Sequence, residues 1–430
     1  MDERTAPGFP VDDFRRDRAG HGRRRRGGVH GPSNRRMART ALKVLVGGLS
    51  VLVLAATAIG WTTEGRLDKG FTRSAALGVD APRSLSGDLN VLLIGLDTRK
   101  DQYGDDLPKE ILDQLHAGDG EEGGYNANTL ILVHIPADMK KIVAVSIPRD
   151  DYVRVTGIPG YTNVKIKEAY GLKKAAVQDR MISQGVTDSR ALERAGREAG
   201  RASIVQAVRD LTGVPIDRFG EVTLAGFYDL AKTLGGVEVC LNKPVNDSEY
   251  SGADFPAGRQ RLNPAQSLAF VRQRHGLENG DLDRTHRQQA FLTSVALDLR
   301  KAGTFTDIAK LNALMDVAHR NIVLSDGWNI TDFLRTLGTA ESPTVEFRTL
   351  PVLRYDNING QDVNIIDPAA IRREVRTAFG DPNPPAVLYN PSRTQTLPTP
   401  GPAASSTTPI PDAGKPMDAT ITGDTIPCVN

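Results

Sequence analysis

NVLLIGL at Asn90–Leu96, TLILVHI at Thr129–Ile135 and KIVAVSI at Lys141–Ile147 are three short apolar runs rich in β-branched residues. The first is apolar throughout, as a central strand covered on both faces must be. Pro136-Ala137-Asp138 separates the other two and is turn chemistry, so the pair is predicted as an antiparallel hairpin. Downstream the period changes. Helices are predicted over about 195–211, closed by Gly213, and over about 221–234, closed by Gly235-Gly236. A strand is predicted over Val237–Leu241, a short helix over Pro264–Ala269 and a strand over Ala269–Arg274. A long helix then runs from Asp283, as its N-cap, to about Arg300. Strands alternating with helices give an α/β fold with a mixed sheet.

Outside this body the composition shifts. Residues 1–40 are rich in Arg, Gly and Pro and are expected to be disordered. Residues 41–61 carry no charge except Lys43, the length of a membrane-spanning helix, with Trp61 at one end and Arg35, Arg36 and Arg39 before the other. The positive-inside rule makes this a single-pass anchor, with the N-terminus cytoplasmic and the body extracytoplasmic. A cleaved signal peptide is the competing reading, with a basic leader and an apolar run both long for one. Residues 62–88 read as a stalk, 89–380 as the globular body, and 381–430 as a Pro/Ser/Thr-rich tail ending in IPCVN. The two cysteines, Cys240 and Cys428, lack metal-ligand spacing. Outside the cell a disulfide between them would staple the tail to the body; two separate thiols are the other reading.

The formal net charge of +2 gives no reason to expect a nucleic-acid partner. No P-loop, HExxH, GxSxG or Rossmann fingerprint occurs in context, which disfavours NTPases, zinc hydrolases and serine hydrolases. His134, inside an apolar run, reads as a packed core histidine. A hairpin returns to the edge it left, so Asn128 and Arg149 are expected at one sheet edge. Asp97 and Arg99 join them if the first strand is parallel to the third. The acidic segment 99–128 would rim that edge. Arg272 and Arg274 would share one strand face. Arg284 and Gln288 stack one turn apart on a helix, with Asp281 in the turn before it. Such arginines form either a convergent phosphate site or a surface array paired with Asp281, Asp283 and Glu278. Asp97 is a candidate Mg²⁺ ligand, although a lone Asp there is also a common turn-former.

LLIGLDTR (92–99), VSIPRDDYV (145–153), NVKIKEAYG (163–171), LTGVPIDRFGEVTLAGFYDLAKTLGGVEV (211–239) and LNPAQSLAFVRQRHGLENGDLDRTHRQQAFL (262–292) together resemble the LytR–CpsA–Psr family. The resemblance spans about 89–375, and R-x-R followed by G-D-x-x-R-x-x-R-Q is its most specific part. It implies an α/β/α sandwich whose apolar cavity holds a polyprenyl chain. It also implies a phosphotransferase that moves a polyprenyl-pyrophosphate-linked glycopolymer onto peptidoglycan at the membrane, with Mg²⁺ (or Mn²⁺) assisting. By motif, Arg99, Arg149, Arg272, Arg274, Arg284 and Gln288 would bind pyrophosphate, Asp97 and Asn128 would serve the metal, and Asp281 would assist the acceptor hydroxyl. Arg149, Arg272, Arg274 and Asp281 are the expected catalytic set. One departure stands out: the usual R-x-D-T is Asn126-Ala127-Asn128-Thr129 here. With the C-terminal cysteine, this pattern resembles the branch from mycolate-walled bacteria, which implies arabinogalactan as the polymer. A pyrophosphate hydrolase and a non-catalytic wall-polymer scaffold are the alternatives.

Overall fold

The computed structural model describes residues 70–84, 87–114, 124–278, 280–301, 308–330, 332–333, 336, 344–380 and 426–430. The expected basic tail, the membrane anchor at 41–61 and most of the C-terminal tail lie outside the described residues. Among those described, no helix is long and apolar enough to cross a membrane.

In chain order the elements are β1 (Thr72–Ser74), β2 (Leu89–Asp97), α1 (Lys109–Gln114), β3 (Asn126–Ile135), β4 (Lys141–Ser146), β5 (Tyr152–Arg154) and β6 (Asn163–Lys165). Then come α2 (Glu168–Ser183), α3 (Ser189–Thr212), β7 (Arg218–Thr223), α4 (Leu224–Thr233), β8 (Val237–Leu241), β9 (Val245–Asp247), β10 (Ala253–Phe255) and β11 (Gly258–Leu262). The last are α5 (Pro264–Arg272), α6 (Asp281–Lys301), α7 (Ile308–Asn321), β12 (Ile322–Ser325), β13 (Thr344–Thr349), β14 (Arg354–Ile358), β15 (Gln361–Ile365), α8 (Pro368–Phe379) and β16 (Cys428–Val429).

The main sheet has the order β1-β12-β7-β2-β3-β4-β13 and is mixed. β2 is antiparallel to β3 and β3 to β4, while β2 is parallel to β7 and β13 to β4. Period-two alternation explains why the β2 run is apolar throughout. Leu92, Ile94 and Leu96 enter one core, with α2, α3 and α8 over them, while Val91 faces a second core shared with Met315 and Ala318 of α7. The result is the expected α/β/α sandwich. A third core joins α4, α5 and α6 to a small sheet of β11, β8 and β16.

Several local expectations are corrected. β1 lies within the segment read as a stalk and pairs with β12, a contact 251 residues away (Thr72 with Val323) that no local pattern encodes. The helix expected at 221–234 is a strand to Thr223 and a helix from Leu224; Thr223 caps it, its side chain accepting from the Gly226 N–H. Ala269–Arg274 is not a strand. Asn263 and Gln266 form a reciprocal capping box with Pro264 in the first turn, and this drives a helix through Arg272. Asp283 is not an N-cap either, because α6 already begins at Asp281. Cys240 and Cys428 are bonded, and β16 runs parallel to β8 beside them.

Candidate functional site

The ends of β2, β3 and β4 converge. Asp97 closes β2 and pairs with Asn126 beyond a bulge at Gly95/Leu96. Asn128 spans its neighbours: its Nδ2 donates to Asp97 Oδ2 at 2.6 Å, and its Oδ1 accepts from Arg149 Nη1 at 2.8 Å. The amide standing where the family pattern has an aspartate thus ties a carboxylate to a guanidinium.

α5 and α6 supply the other arginines. The chain leaves α5 at Gln273 in an extended conformation (φ −53°, ψ 138°). Arg272, at the helix end, and Arg274, just beyond it, therefore reach one cavity despite the mistaken strand, and Arg274 is exposed rather than buried. Arg284 and Gln288 lie one turn apart on α6 and line the same cavity. Arg284 Nη2 donates to the Asn128 main-chain oxygen at 3.2 Å, and Gln288 Nε2 to that of Val271 at 3.3 Å. Arg149 also lines it. Arg99 and Asp281 do not. Arg99 acts on Arg272 through its charge. Asp281 sits between two arginines, with Oδ1 at 2.8 Å from Arg284 Nη2 and 3.1 Å from Arg149 Nε. The pairing with Asp281 expected of a surface array is thus present, but Arg149 and Arg284 are buried rather than at the surface, and Glu278 pairs elsewhere, with Lys243.

This pairing does not balance the rim. Burial pushes the Arg284 guanidinium down to about 10 against the pull of Asp281. Burial also lowers Arg272, opposed by Asp97 and assisted by Arg99. Cations held this way favour an incoming anion.

Behind the rim the cavity, about 290 Å³, is walled by Leu93 and Ile131 of the sheet, Phe227 and Leu230 of α4, Leu268 of α5, and Phe291 and Val295 of α6. Phe227 and Phe291 meet with ring centroids 4.7 Å apart. Tyr250 and His275, in ring contact at 4.0 Å, stand at the cavity too. Sequence reading gave Tyr250 no role, since it lies in no periodic run. His134 is a core residue: its Nδ1 lies 2.8 Å from Asn90 Oδ1, its ring stacks on Phe379, and burial lowers its pKa.

The metal expectation can be tested on the donors present. Asp97 Oδ1 is buried without a hydrogen-bond partner, an available hard oxygen beside the cation rim. Asn128 has its amide oxygen occupied by Arg149. Among the described residues no group of three or more His, Cys, Asp or Glu could hold a metal. The residues fit a cation held by one carboxylate together with ligand oxygens, and do not form a complete protein cage.

Comparison with known proteins agrees with this architecture. The chain is 37% identical over 358 residues to the cell wall biosynthesis protein LcpA of Corynebacterium glutamicum, covering 82% of this chain and 68% of LcpA. It is 25% identical over 268 residues to the polyisoprenyl-teichoic acid–peptidoglycan teichoic acid transferase TagU of Bacillus licheniformis, covering 61% of this chain and 68% of TagU. The crystal structure of protein gbs0355 from Streptococcus agalactiae shares the fold at a TM-score of 0.50 and 18% identity, covering 68% of this chain and 88% of that one. Residues 67–377 match the model of the LytR_cpsA_psr family, and the chain belongs to that family.

Proposed function

We propose that the protein transfers a polyprenyl-pyrophosphate-linked glycopolymer to a peptidoglycan hydroxyl. The observation that carries this reading is the rim of Arg149, Arg272, Arg274 and Arg284 at the mouth of an apolar cavity. A doubly charged head and a hydrocarbon tail are the ligand such a shape complements. The names of LcpA and TagU, a wall-biosynthesis protein and a glycopolymer transferase, support it. The acceptor oxygen bonds to the sugar-side phosphorus, the P–O–P bridge breaks, polyprenyl phosphate departs with the bridging oxygen, and the acceptor proton passes to solvent. Arg272, Arg274 and Arg284 stabilise the charge that gathers on the phosphoryl oxygens. Asp281 holds Arg149 and Arg284 in place, and that pairing makes it a brace for the cations as well as the carboxylate nearest them. A Mg²⁺ or Mn²⁺ ion, held by Asp97 and phosphate oxygens, would supply further charge neutralisation.

The similarity to LcpA, from a mycolate-walled bacterium, favours arabinogalactan as the polymer. The apolar segment 41–61 would anchor the enzyme in the membrane that carries its lipid substrate, with the body outside. The test is incubation of the full chain with polyprenyl-pyrophosphate arabinogalactan, with and without peptidoglycan. Polymer joined to the wall through a phosphodiester, with stoichiometric polyprenyl phosphate, is the expected product. Polymer phosphate released equally without acceptor would make the protein a hydrolase, and no turnover at all would make it a scaffold.

A further inference from the structure

Arg287 belongs to the same motif as Arg284 and Gln288, yet it does not line the cavity. It is fully buried (0% exposed), which for a guanidinium demands an explanation. Its contacts run in two directions. On one side Nε donates to the Asn430 main-chain oxygen at 2.6 Å. That residue follows β16, which is fixed to β8 by the Cys240–Cys428 bond and by the Asn242 N–H donating to the Val429 oxygen at 2.8 Å. On the other side Nη1 donates to Gln273 Oε1, and the guanidinium lies 5.1 Å from the centre of the Phe270 ring. Gln273 is itself buried, 2% exposed, and its Nε2 donates to the His275 main-chain oxygen at 2.9 Å. Gln273 stands between Arg272 and Arg274 in the turn that carries both to the cavity.

We propose that Arg287 is a positioning residue for the phosphate site: braced from behind by the C-terminal strand, it grips Gln273 and so fixes the turn that aims Arg272 and Arg274 at the ligand. This rests on the reading of the cavity as a polyprenyl-pyrophosphate site. An Arg-to-Lys change keeps the charge but loses the fork that holds Asn430 and Gln273 together. Groups that orient ligand-binding side chains typically matter roughly tenfold or more in affinity.

The test uses the full chain and two probes that share a tail, farnesyl pyrophosphate and the uncharged alcohol farnesol. Binding is titrated well below the melting point of each variant. Gln273→Ala and Arg287→Lys are expected to weaken farnesyl pyrophosphate roughly tenfold while leaving farnesol unchanged. The triple variant Gln273→Ala/Arg272→Ala/Arg274→Ala should bind farnesyl pyrophosphate no worse than Arg272→Ala/Arg274→Ala, because Gln273 acts only through those two arginines. Equal loss for both probes would make the pair a general packing feature and overturn the proposal, as would unchanged affinity or strictly additive losses. If the unaltered protein binds farnesol but not farnesyl pyrophosphate, the phosphate reading itself fails, and the positioning role falls with it.

Discussion

Two sets of buried arginines are balanced in opposite ways. Arg197 and Arg201 of α3 lie over one face of the sheet; Arg272 and Arg284 stand at the strand ends beside the cavity. In the α3 set the neighbours outweigh burial, Glu221 first for Arg201, and Tyr170 and Tyr125, then Glu193, for Arg197. Arg201 meets Glu221 through Nε at 2.9 Å and Nη2 at 2.8 Å, and its pKa rises despite desolvation. Arg197 is likewise raised, with Glu193 at 2.7 Å. At the rim, burial wins and both Arg272 and Arg284 fall. The difference is one of charge rather than of hydrogen-bond count, since Arg197 Nη1 also lacks a bond. At the rim part of the match is open to a ligand, but burial also lowers Arg287 to about 10 away from the cavity, so it is the position at the cavity, and not the lowered pKa alone, that marks the rim as a binding site.

The largest expected effect is on the balanced set. Arg201→Met leaves Glu221, 1% exposed, as an uncompensated buried carboxylate, and should destabilise the protein by about 3–5 kcal/mol in urea unfolding. The rim should behave in reverse. Arg272→Ala should cost roughly a hundred- to a thousandfold in transfer rate, about 3–4 kcal/mol, with no loss of unfolding free energy. A variant that kept near-normal turnover, or that lost stability as Arg201→Met does, would erase the distinction.

How far this contrast was legible in the sequence depends on the range of the interaction. The β2, β3 and β4 runs announce themselves through local pattern, and hairpin logic alone brings Asn128 and Arg149 to one edge. Arg272 and Arg274 are legible from their motif but not from local alternation: AFVRQR alternates like a strand, and the cap at Asn263 and Pro264 overrides that alternation. The strand Arg218–Thr223 was hidden because RFGEVT becomes a strand only between β2 and β12. Asn128 as a bridge, Asp281 as a brace and the Tyr250–His275 contact all depend on side-chain placement across distant elements, which spacing does not encode.

Acid sharpens the comparison. Burial alone would raise Glu193, but donors from Lys174, Tyr125 and Arg197 hold it down, from 4.5 to about 2. A carboxylate depressed in the folded state contributes stability that is complete above its unfolded pKa and lost as pH falls through the folded one. The α3 set should therefore forfeit roughly 3 kcal/mol between about pH 4.5 and 2. Unfolding titrations of Glu193→Gln should show a flatter acid limb over that window. An unchanged limb would mean that other carboxylates set the acid sensitivity.

The smallest effect asks whether the two sets are independent. A ligand that binds only the folded state stabilises it by about 2.7 kcal/mol at a hundred times its Kd. Farnesyl pyrophosphate should raise the melting temperature accordingly, and it should do so equally in the unaltered chain and in Arg201→Met, because Arg201 reaches Glu221 rather than the rim. In Arg284→Gln the shift should shrink, since a buried cation that lines the cavity is then gone. Glu221 offers a route by which the sets could communicate, because it lines the cavity while bonding Arg201. If Arg201→Met stays folded yet loses the ligand shift, that buried carboxylate links folding charge to binding charge, and the separation drawn between the two sets gives way at Glu221.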